Sequence, residues 1–410
     1  MVQGNDMAAR WLSIIGIGED GRAGLKPTAS ALVDSAELVV GGRRHLALIG
    51  ATPGEQLPWA SPLEATIPTI LVRRGRPVAV LASGDPFWFG VGATLARHIS
   101  AGEMLVLPAP STFSLAAARL GWTLQDTVTL GLHTAALPSI LPHLHRGRRI
   151  LAFTVDAATP GAVAGSIAAY GFGPSRMVVL EALGGPHERI RETTAGHFDL
   201  ADIHPLNTLG IAVAAESNAR PIPRAAGLDD DFFAHDGQLT KRAIRAIALS
   251  SLAPLPGQLL WDVGLGSGSV AIEWLLCHPA NRAVGIERDP ERAARAAHNA
   301  AALGVPHLAV KQGSAPAALA GLAEPDAVFI GGGCDSVLIE TCWAALKPGG
   351  RMVVNAVTLE TQALLADEHI RKGGSLSRLS IESAEAVGRR RGWRAAMPIV
   401  QWVGLKGAKS

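Results

Sequence analysis

The first half of the chain alternates short apolar runs with amphipathic stretches. Apolar runs bounded by glycine, proline or polar residues predict strands, and stretches with a 3.6-residue hydrophobic period predict helices. Strands are predicted at residues 11–17, 37–40, 77–82, 104–107, 150–154, 177–181 and 208–215, and helices at residues 27–36, 89–99 and 111–120. Strands that alternate with helices predict mostly parallel sheets.

The second half repeats this alternation more regularly. Strands are predicted at residues 259–263, 283–287, 308–311, 327–330 and 351–355, and helices at residues 269–277, 290–303 and 336–346. Thr240 is predicted to cap a further helix that ends near residue 252. Residues 376–404 lack a helical period and suggest a terminal pair of strands.

The length of the chain and its joining segment indicate how it is divided. At roughly 100–200 residues per domain, a chain of 410 residues is expected to hold two or three domains. The two α/β regions meet near residues 218–238, where two prolines and an acidic triplet suit either a linker or an ordered crossing. We therefore predict domains at residues 10–222 and 223–410.

Composition excludes several classes of protein. Hydrophobic residues make up 48% and charged residues 18% of the chain, which is enough apolar matter for buried cores and unlike a disordered chain. The net charge of +2 argues against strong binding to a polyanion. The chain has 7 lysines and 30 arginines, which suits carboxylate recognition, although a GC-rich genome would explain this bias equally well.

Three cysteines, Cys277, Cys334 and Cys342, fit neither a disulfide framework nor a metal-ligand spacing. Residues 1–10 contain Asn5 and Asp6 and lack the apolar stretch of a signal peptide. The longest weakly charged run, residues 77–96, is interrupted by charge and glycine and is not expected to span a membrane. These observations predict a cytoplasmic protein.

The most informative motif is Asp-Val-Gly-Leu-Gly-Ser-Gly-Ser at residues 262–269, between a predicted strand and a predicted helix. Glycines there allow a ligand to approach the backbone, and the helix behind supplies free N–H groups. Glu287 ends the next strand, where a carboxylate can accept bonds from both hydroxyls of a ribose. Because Ser269 stands where a dinucleotide motif has its third glycine, the spacing is similar to that of Rossmann-like methyltransferases that use S-adenosylmethionine (SAM).

A literal dinucleotide motif near the start of the chain is misleading. Residues 16–21, Gly-Ile-Gly-Glu-Asp-Gly, follow a predicted strand, but Glu19 and Asp20 would repel a pyrophosphate. Gly24 and Pro27 also delay the next helix. A lone match of this kind is weak, and we do not expect a nicotinamide cofactor here.

Two further segments of the first half complete a family pattern. Residues 16–21, 83–90 and 108–113 together resemble the tetrapyrrole methylase family, although a proline is usual in that family where Glu19 stands. The form of the first motif, and residues 181–190, look like the CbiE branch, which methylates C5 of a corrin precursor. The resemblance implies two α/β subdomains with a SAM-binding cleft between them. The residues that match its SAM-binding segments are Gly16, Gly84, Asp85, Ser111 and Thr112.

The second half resembles the CbiT-like methyltransferases, a Rossmann-like class I SAM family. The resemblance implies SAM contacts from the residues of the glycine motif and its neighbouring strands: Thr240, Gly264, Leu265, Gly266, Ser267, Gly268, Glu287, Ser314 and Ala315. Relatives often carry an acid where Ser314 stands, so a weaker adenine contact is expected. Gly332, in a run of three glycines, would leave room beside the transferred methyl group.

The order of two different SAM motifs on one chain resembles the decarboxylating precorrin C5,15-methyltransferase family. The resemblance implies methylation of precorrin-6B at C5 by the first half and at C15 by the second. It also implies loss of carbon dioxide from the ring-C acetate, to give precorrin-8 in cobalamin biosynthesis. Two SAM sites per chain, no metal, no nucleic acid, no membrane and a homo-oligomer are expected.

Such a substrate bears many carboxylates, so arginines are expected to line its pockets. Lys241 and Arg242, beside the predicted SAM threonine, are the preferred pair. The other candidates are Arg43, Arg44, Arg73, Arg74, Arg76, Arg245 and Arg389–Arg391. His143 and His145 resemble a pair of metal ligands but lack nearby acidic or cysteine partners, so we expect a surface turn there.

Two other functions are compatible with the motifs. The second half could belong to an RNA methyltransferase, which would need a basic face with stacking aromatics; the net charge and the single tyrosine do not favour it. Alternatively, one half could bind SAM without catalysis.

Overall fold

The chain forms two compact units in a computed structural model that describes residues 10–407. The first unit holds residues 10–135 and 143–220, and the second holds residues 136–142 and 221–407. Residues 1–9, on which the expectation of a missing signal peptide depends, lie outside the described residues. The domain limits inferred from the sequence stay a prediction.

The first unit begins with a parallel sheet whose strand order is β3-β2-β4-β1-β5. Its strands are β1 (Leu12–Ile17), β2 (Leu38–Gly41), β3 (Glu55–Pro58), β4 (Val78–Ser83) and β5 (Met104–Leu107), and its helices are α1 (Pro27–Ser35), α2 (Arg43–Ile49), α3 (Ile67–Leu71) and α4 (Gly92–Leu95). Strand β1 is buried along its whole length, because this parallel sheet is covered on both faces.

The helix predicted at residues 89–99 is wrong. Only α4, four residues long, is α-helical there. Pro86 turns the chain, and its carbonyl accepts the Gly92 N–H at 2.8 Å. Gly84 and Phe89 both have positive φ, 54° and 55°, which a helix does not allow. The segment after β4 is therefore a loop that lies at the carboxyl edge of the sheet.

The second sheet of the first unit has the order β6-β7-β10-β8-β9. Its strands are β6 (Thr127–Gly131), β7 (Arg149–Phe153), β8 (Arg176–Glu181), β9 (Arg189–Thr194) and β10 (Asn207–Ala212), and α5 (Thr112–Leu120) and α6 (Thr159–Ile167) complete the unit. Only β6 and β7 pair in parallel. The expectation of mostly parallel sheets is wrong here because β8 and β9 are joined directly, without a crossover helix.

The second unit is built on a seven-stranded sheet with the order β13-β12-β11-β14-β15-β19-β16. Its strands are β11 (Leu259–Val263), β12 (Arg282–Glu287), β13 (Ala309–Gln312), β14 (Ala327–Ile330), β15 (Arg351–Ala356), β16 (Ser375–Leu379) and β19 (Ile399–Leu405). The helices are α7 (Arg242–Leu252), α8 (Ser269–Cys277), α9 (Pro290–Ala302), α10 (Ser336–Ala345) and α11 (Leu359–Lys372). The first five strands are parallel, and β19 and β16 are antiparallel additions.

The end of the chain contains more than the predicted pair of strands. Between β16 and β19, the strands β17 (Glu382–Val387) and β18 (Arg390–Ala395) form a separate hairpin. Nearly every residue of this hairpin is exposed. In the main sheet the connections change direction beside β11, which has β12 on one side and β14 on the other. Ligands of open α/β sheets bind at such a place.

Candidate active sites

A large cavity of about 1170 Å³ opens at the carboxyl edge of the second unit's sheet. Its walls come from the loops that follow β11, β12, β13 and β14, together with the start of α7. Most of the residues predicted to bind SAM or substrate in this half line the cavity: Thr240, Lys241, Arg242, Gly264, Leu265, Gly266, Ser267, Glu287, Ser314, Ala315 and Gly332. Residues from five separate segments thus meet at one place.

The glycine loop after β11 has a backbone conformation that residues with a side chain rarely adopt. Gly264, Gly266 and Gly268 have φ angles of 78°, 57° and 80°, in the left-handed region that favours glycine. Gly268 lies behind the loop as the N-cap of α8, and a Cβ there would lie 3.1 Å from Ala296. Of the residues predicted to bind SAM in this half, Gly268 alone is absent from the described cavity wall.

Glu287 is buried and fixes the glycine loop. One carboxylate oxygen accepts the Gly266 N–H at 2.8 Å and the other accepts the Asp289 N–H at 3.0 Å. Each oxygen keeps a further lone pair that a ribose hydroxyl can use. The buried acid, the open glycine loop and the polar wall at Ser314 fit an adenosine group, so the residues present suit SAM.

The predicted capping role of Thr240 is wrong. The helix α7 begins at Arg242 and its N-cap is Lys241, which makes no side-chain capping bond. The Thr240 carbonyl instead accepts a bond from the Arg245 guanidinium, which holds the threonine ahead of the helix. Thr240 still lines the cavity.

Arg245 is not a substrate ligand, contrary to expectation. Its side chain is fully buried, and its Nε donates to Glu273 at 2.5 Å. Other bonds from the guanidinium reach Asp230 and the carbonyl of Leu228, and the charge lies 4.7 Å from the centre of the Phe233 ring. With these partners Arg245 ties α7 to the segment before it. Arg242 is exposed and pairs with Asp229 at 2.6 Å, so its charge is accessible from the cavity.

Two residues at this edge were missed from the sequence. Asp262 lines the cavity, and burial raises its pKa to about 7, with a smaller contribution from the charge of Glu287 and an opposing one from the Ala271 N–H bond. Asn355, at the end of β15, also lines the cavity, and its side-chain oxygen accepts a bond from Gln401. The position of both at the carboxyl end of a strand could have indicated them.

A second cavity, of about 410 Å³, lies between the two sheets of the first unit. Gly84, Ser111 and Thr112 line it, as predicted. Ser111 is the N-cap of α5 and accepts the Ser114 N–H. Gly16 and Asp85 are not in the described wall of this cavity.

Gly16 lies behind this wall, where a Cβ would be 2.0 Å from the Gly84 carbonyl oxygen. Asp85 stabilises the loop locally, because its carboxylate accepts the Phe87 N–H at 2.9 Å. Both residues therefore shape the loops that form the cavity.

One end of this smaller cavity is polar and was missed from the sequence as a site. Glu19, Arg44, His45 and Ser83 line it together. Arg44 pairs with Glu19 and donates to the Ser83 hydroxyl at 3.0 Å. Burial and the charge of Arg44 lower the pKa of His45 to about 4, against a smaller effect of the Leu81 carbonyl. The imidazole is therefore neutral at pH 7.

Another part of the cavity wall is aromatic. Phe89 and Phe153 line it and meet edge-on, and the fully buried Phe113 stacks on Phe153 with ring centres 3.8 Å apart. Trp88 and Phe89 are about half exposed, at 47% and 49%. The cavity therefore combines a flat apolar surface with a charged end.

The remaining arginine candidates do not lie at either cavity. Arg73, Arg74 and Arg76 form surface ion pairs with Glu55, Glu103 and Glu37, and Arg389–Arg391 are exposed at the β17–β18 hairpin.

Within residues 10–407 no group of three His, Cys, Asp or Glu side chains could hold a metal ion. Burial raises the pKa of the Cys334 and Cys342 thiols to about 11 and about 12. No helix in the described part is long and apolar enough to cross a membrane.

Comparison with known families adds independent information on both halves. Residues 12–199 match the model of the tetrapyrrole (corrin/porphyrin) methylases, and residues 231–406 match that of the precorrin methyltransferase domain. A Sinorhizobium protein named precorrin-6Y C(5,15)-methyltransferase [decarboxylating] is 53% identical over 399 residues, 97% of each chain. The chain belongs to the decarboxylating precorrin-6Y C(5,15)-methyltransferase family. The resemblance inferred from the motifs is thereby confirmed, as is the fold class.

Shorter relatives of this methyltransferase family resemble parts of the chain. A Salmonella typhimurium protein named cobalt-precorrin-7 C(5)-methyltransferase is 30% identical over 44% of this chain and 88% of its own length. A Saccharolobus solfataricus protein named probable cobalt-precorrin-6B C(15)-methyltransferase (decarboxylating) is 37% identical over 35% of this chain and 77% of its own length. This precorrin methyltransferase is a SAM-dependent C-methyltransferase.

Proposed function

We propose that this chain methylates precorrin-6B at C5 and at C15, removes carbon dioxide from the ring-C acetate and releases precorrin-8 for cobalamin biosynthesis. The observation that carries the proposal is the presence of two separate cavities, one in each unit, at the carboxyl edges of two parallel sheets. The 53% identity to a relative named for both methylations and the decarboxylation supports it.

The first domain, residues 10–222, carries C5 methylation, and the second, residues 223–410, carries C15 methylation with decarboxylation. The tetrapyrrole methylase match at residues 12–199 and the precorrin methyltransferase match at residues 231–406 support this division. So does the existence of separate relatives named for the C5 reaction and for the decarboxylating C15 reaction.

Each domain holds one SAM. In the second domain Thr240, the glycine loop with Leu265 and Ser267, and Glu287 hold it, with Ser314 and Ala315 at the adenine. In the first, Gly84, Ser111 and Thr112 hold it, while Gly16 and Asp85 shape the loops. Bound SAM supplies an electrophilic methyl group on a sulfonium centre. The residues of the chain contribute orientation, which dominates when an in-line transfer needs no strong base.

Lys241, Arg242 and Gly332 form the substrate side of the second cavity. Arg242 is exposed and carries a single ion pair to Asp229, and Lys241 lies 3.7 Å from Asp230. Exposed ion pairs of this kind are weak, so a substrate carboxylate can replace the aspartates. Gly332, which has no atoms within 4 Å of an added Cβ, leaves open space beside them.

The chain acts as a cytoplasmic homo-oligomer that binds no nucleic acid. The net charge of +2 gives no electrostatic basis for holding RNA. The exposed hairpin β17–β18 carries Val387 and Trp393, which are 66% and 74% exposed, and large exposed apolar groups favour association. Sedimentation of the full chain as a single 42.5 kDa species would contradict the oligomer.

Titration calorimetry with SAM tests the assignment of two sites. The full-length protein is expected to bind two SAM molecules per chain. Glu287→Ala removes the acceptor of the Gly266 N–H and should weaken one site by about 10–100-fold, because a charged hydrogen-bond partner contributes about 1.5–3 kcal/mol. The other site should be unchanged.

The matched control for this titration is Glu291→Ala, which removes an exposed acid from the first turn of α9. It should retain both sites. A single SAM site in the unmodified chain would contradict the proposal, since one domain would then not bind the methyl donor.

A further inference from the structure

Four polar side chains from three elements meet at one end of the first unit's cavity. Glu19 follows β1, Arg44 and His45 lie in the first turn of α2 after β2, and Ser83 ends β4. Since β2, β4 and β1 are neighbours in the sheet, their carboxyl ends place these side chains side by side. All four line the cavity.

Hydrogen bonds hold the Arg44 guanidinium in place. One nitrogen, Nη2, lies 3.0 Å from both the Ser83 hydroxyl and His45 Nε2, and those two atoms are 2.8 Å apart. An arginine can only donate, so Nε2 of His45 is the acceptor. The neutral state of His45 at pH 7 agrees with this arrangement. Ser83 and His45 therefore fix the position of the charge without cancelling it.

Glu19 is the carboxylate that balances Arg44 when no ligand is present. Its side chain is 18% exposed and that of Arg44 is 39% exposed. Burial lowers the pKa of Arg44, because partial desolvation disfavours the charged guanidinium. The Arg44 guanidinium is thus held in one orientation at the mouth of a cavity and pairs with one carboxylate, that of Glu19.

The rest of the cavity suits a flat conjugated ligand. Trp88 and Phe89 present half-exposed rings, and aromatic rings stack on extended π-systems. Phe89 holds this position with a φ of 55°, a backbone state that is costly for a bulky residue and is found at functional sites. A planar ligand with acidic side chains would place its face on these rings and one acid at Arg44.

We propose that Arg44 binds a carboxylate of the tetrapyrrole in the first domain, in exchange for Glu19, and that Ser83 and His45 position its guanidinium. This inference rests on the proposed function and adds to it the residue that selects the substrate of the C5 reaction. It also distinguishes Arg44 from the nine other arginines that the sequence offered as candidates for binding substrate carboxylates.

SAM also carries a carboxylate, and the sheet order favours the tetrapyrrole as its source. Ser111 and Thr112, which the proposal assigns to SAM, follow β5, whereas Arg44 follows β2. These strands are three positions apart in the order β2-β4-β1-β5, or about 14 Å at about 4.8 Å per strand. Arg44 therefore lies toward the end of the cavity away from Ser111 and Thr112, and the third residue assigned to SAM, Gly84, lies nearer because it directly follows Ser83.

The test compares Arg44→Gln with Arg43→Gln in the full chain. Arg43 is the preceding residue of the same helix and is exposed, so its loss removes the same charge outside the cavity. Mass spectrometry separates the C5-methylated product from the product methylated at C15 alone. Arg44→Gln should raise the KM for the tetrapyrrole in C5 methylation by about 10–100-fold, the usual effect of losing a charged hydrogen bond. Arg43→Gln should not.

Glu19→Gln provides a readout that a purely structural ion pair would not give. Removing the competing carboxylate should lower the KM for the tetrapyrrole, whereas Arg44→Gln raises it. Added salt should raise the KM of the unmodified enzyme more steeply than that of Arg44→Gln, because screening acts on the charge that the variant lacks. If both variants lose activity in the same direction, the exchange is refuted.

Two internal measurements keep the outcomes distinct. C15 methylation and decarboxylation by the second domain should persist in Arg44→Gln, which shows that the chain is folded. The SAM affinity of the first domain should also persist; its loss would assign Arg44 to the carboxylate of SAM and overturn the proposal. Absence of any methyl transfer by the unmodified enzyme would instead refute the proposed function.

Discussion

At the scale of single residues, Asp262 is a group whose ionisation depends strongly on the fold. It is 2% exposed at the end of β11, and one carboxylate oxygen accepts the Ala271 N–H at 3.1 Å. Burial, and then the charge of Glu287, raise its pKa from 3.8 to about 7. Glu287 therefore holds the glycine loop through the Gly266 N–H, and Asp262, which bonds to α8, exchanges a proton near neutrality.

Asp262→Asn should remove part of the pH dependence of stability. Between pH 4 and 7 the folded state keeps the Asp262 proton that the unfolded state releases, so the free energy of unfolding falls as the pH rises through this window. The stabilisation is complete below pH 4 and is lost as the pH passes 7. Asparagine keeps an acceptor for Ala271 but cannot ionise.

Calorimetric unfolding of both proteins from pH 4.5 to 8 measures this effect. The stability of the unmodified protein relative to the variant should fall by a few kcal/mol across the range, at about 1.4 kcal/mol per pKa unit. Glu291→Gln, an exposed change in α9, serves as the control. Parallel curves for Asp262→Asn and the unmodified protein would contradict the role given to Asp262.

At the scale of elements, the helix α7 is fixed by a buried charge. Arg245 reaches from α7 to Glu273 in α8, and Glu273 in turn accepts the N–H groups of Gly227 and Leu228. The segment after residue 227, which the sequence left open between a linker and an ordered crossing, is therefore ordered against the second unit. The same network sets the position of Thr240 and of the start of α7 at the cavity.

Arg245→Met should destabilise the second unit strongly. It leaves Glu273 as a buried acid without its guanidinium partner, and breaking a buried ion pair costs about 3–5 kcal/mol. The expected fall in the melting temperature is roughly 10 °C. Arg242→Met, three residues earlier on the exposed side of α7, loses a surface pair and should cost less than about 1 kcal/mol. Equal melting temperatures for the two variants would show that the Arg245 network carries no stability.

Elements with strong local signals could be predicted from the sequence. The strands β11 and β14 and the helix α8 begin and end where the apolar pattern indicated, because glycine, proline and capping residues limit them. The loop after β4 could not be predicted in this way. Its apolar residues mimic a helix, and only the turn at Pro86 and the positive φ of Phe89 reveal a cavity wall.

The candidate sites, like the elements, could be predicted only where the sequence carries a local signal. The glycine loop and Glu287 carry a recognisable spacing and could be found from the sequence. The cluster of Glu19, Arg44, His45 and Ser83 could not, because its members are as far as 64 positions apart in the chain and only the strand order brings them together. The burial of Arg245 could not be predicted from the sequence either, since its neighbours Lys241 and Arg242 are exposed.

At the scale of the whole molecule, the two units have separate cores and separate cavities. The first unit builds its cavity between a parallel sheet and a mostly antiparallel one, and the second builds its cavity at the edge of one sheet. Many arginines of the arginine-rich composition are occupied in ion pairs on the surfaces of these units. Composition alone cannot distinguish the arginines that line the cavities, which are Arg44, Arg242, Arg288 and Arg292.

The most direct test of the central claim is the mass of the product made by purified enzyme from SAM and reduced precorrin-6. The product is expected to gain two methyl groups and to lose one carbon dioxide, both with enzyme treated with a chelator and with untreated enzyme. A product that carries a single added methyl group, or two methyl groups with the acetate intact, would contradict the assignment of both reactions to this chain.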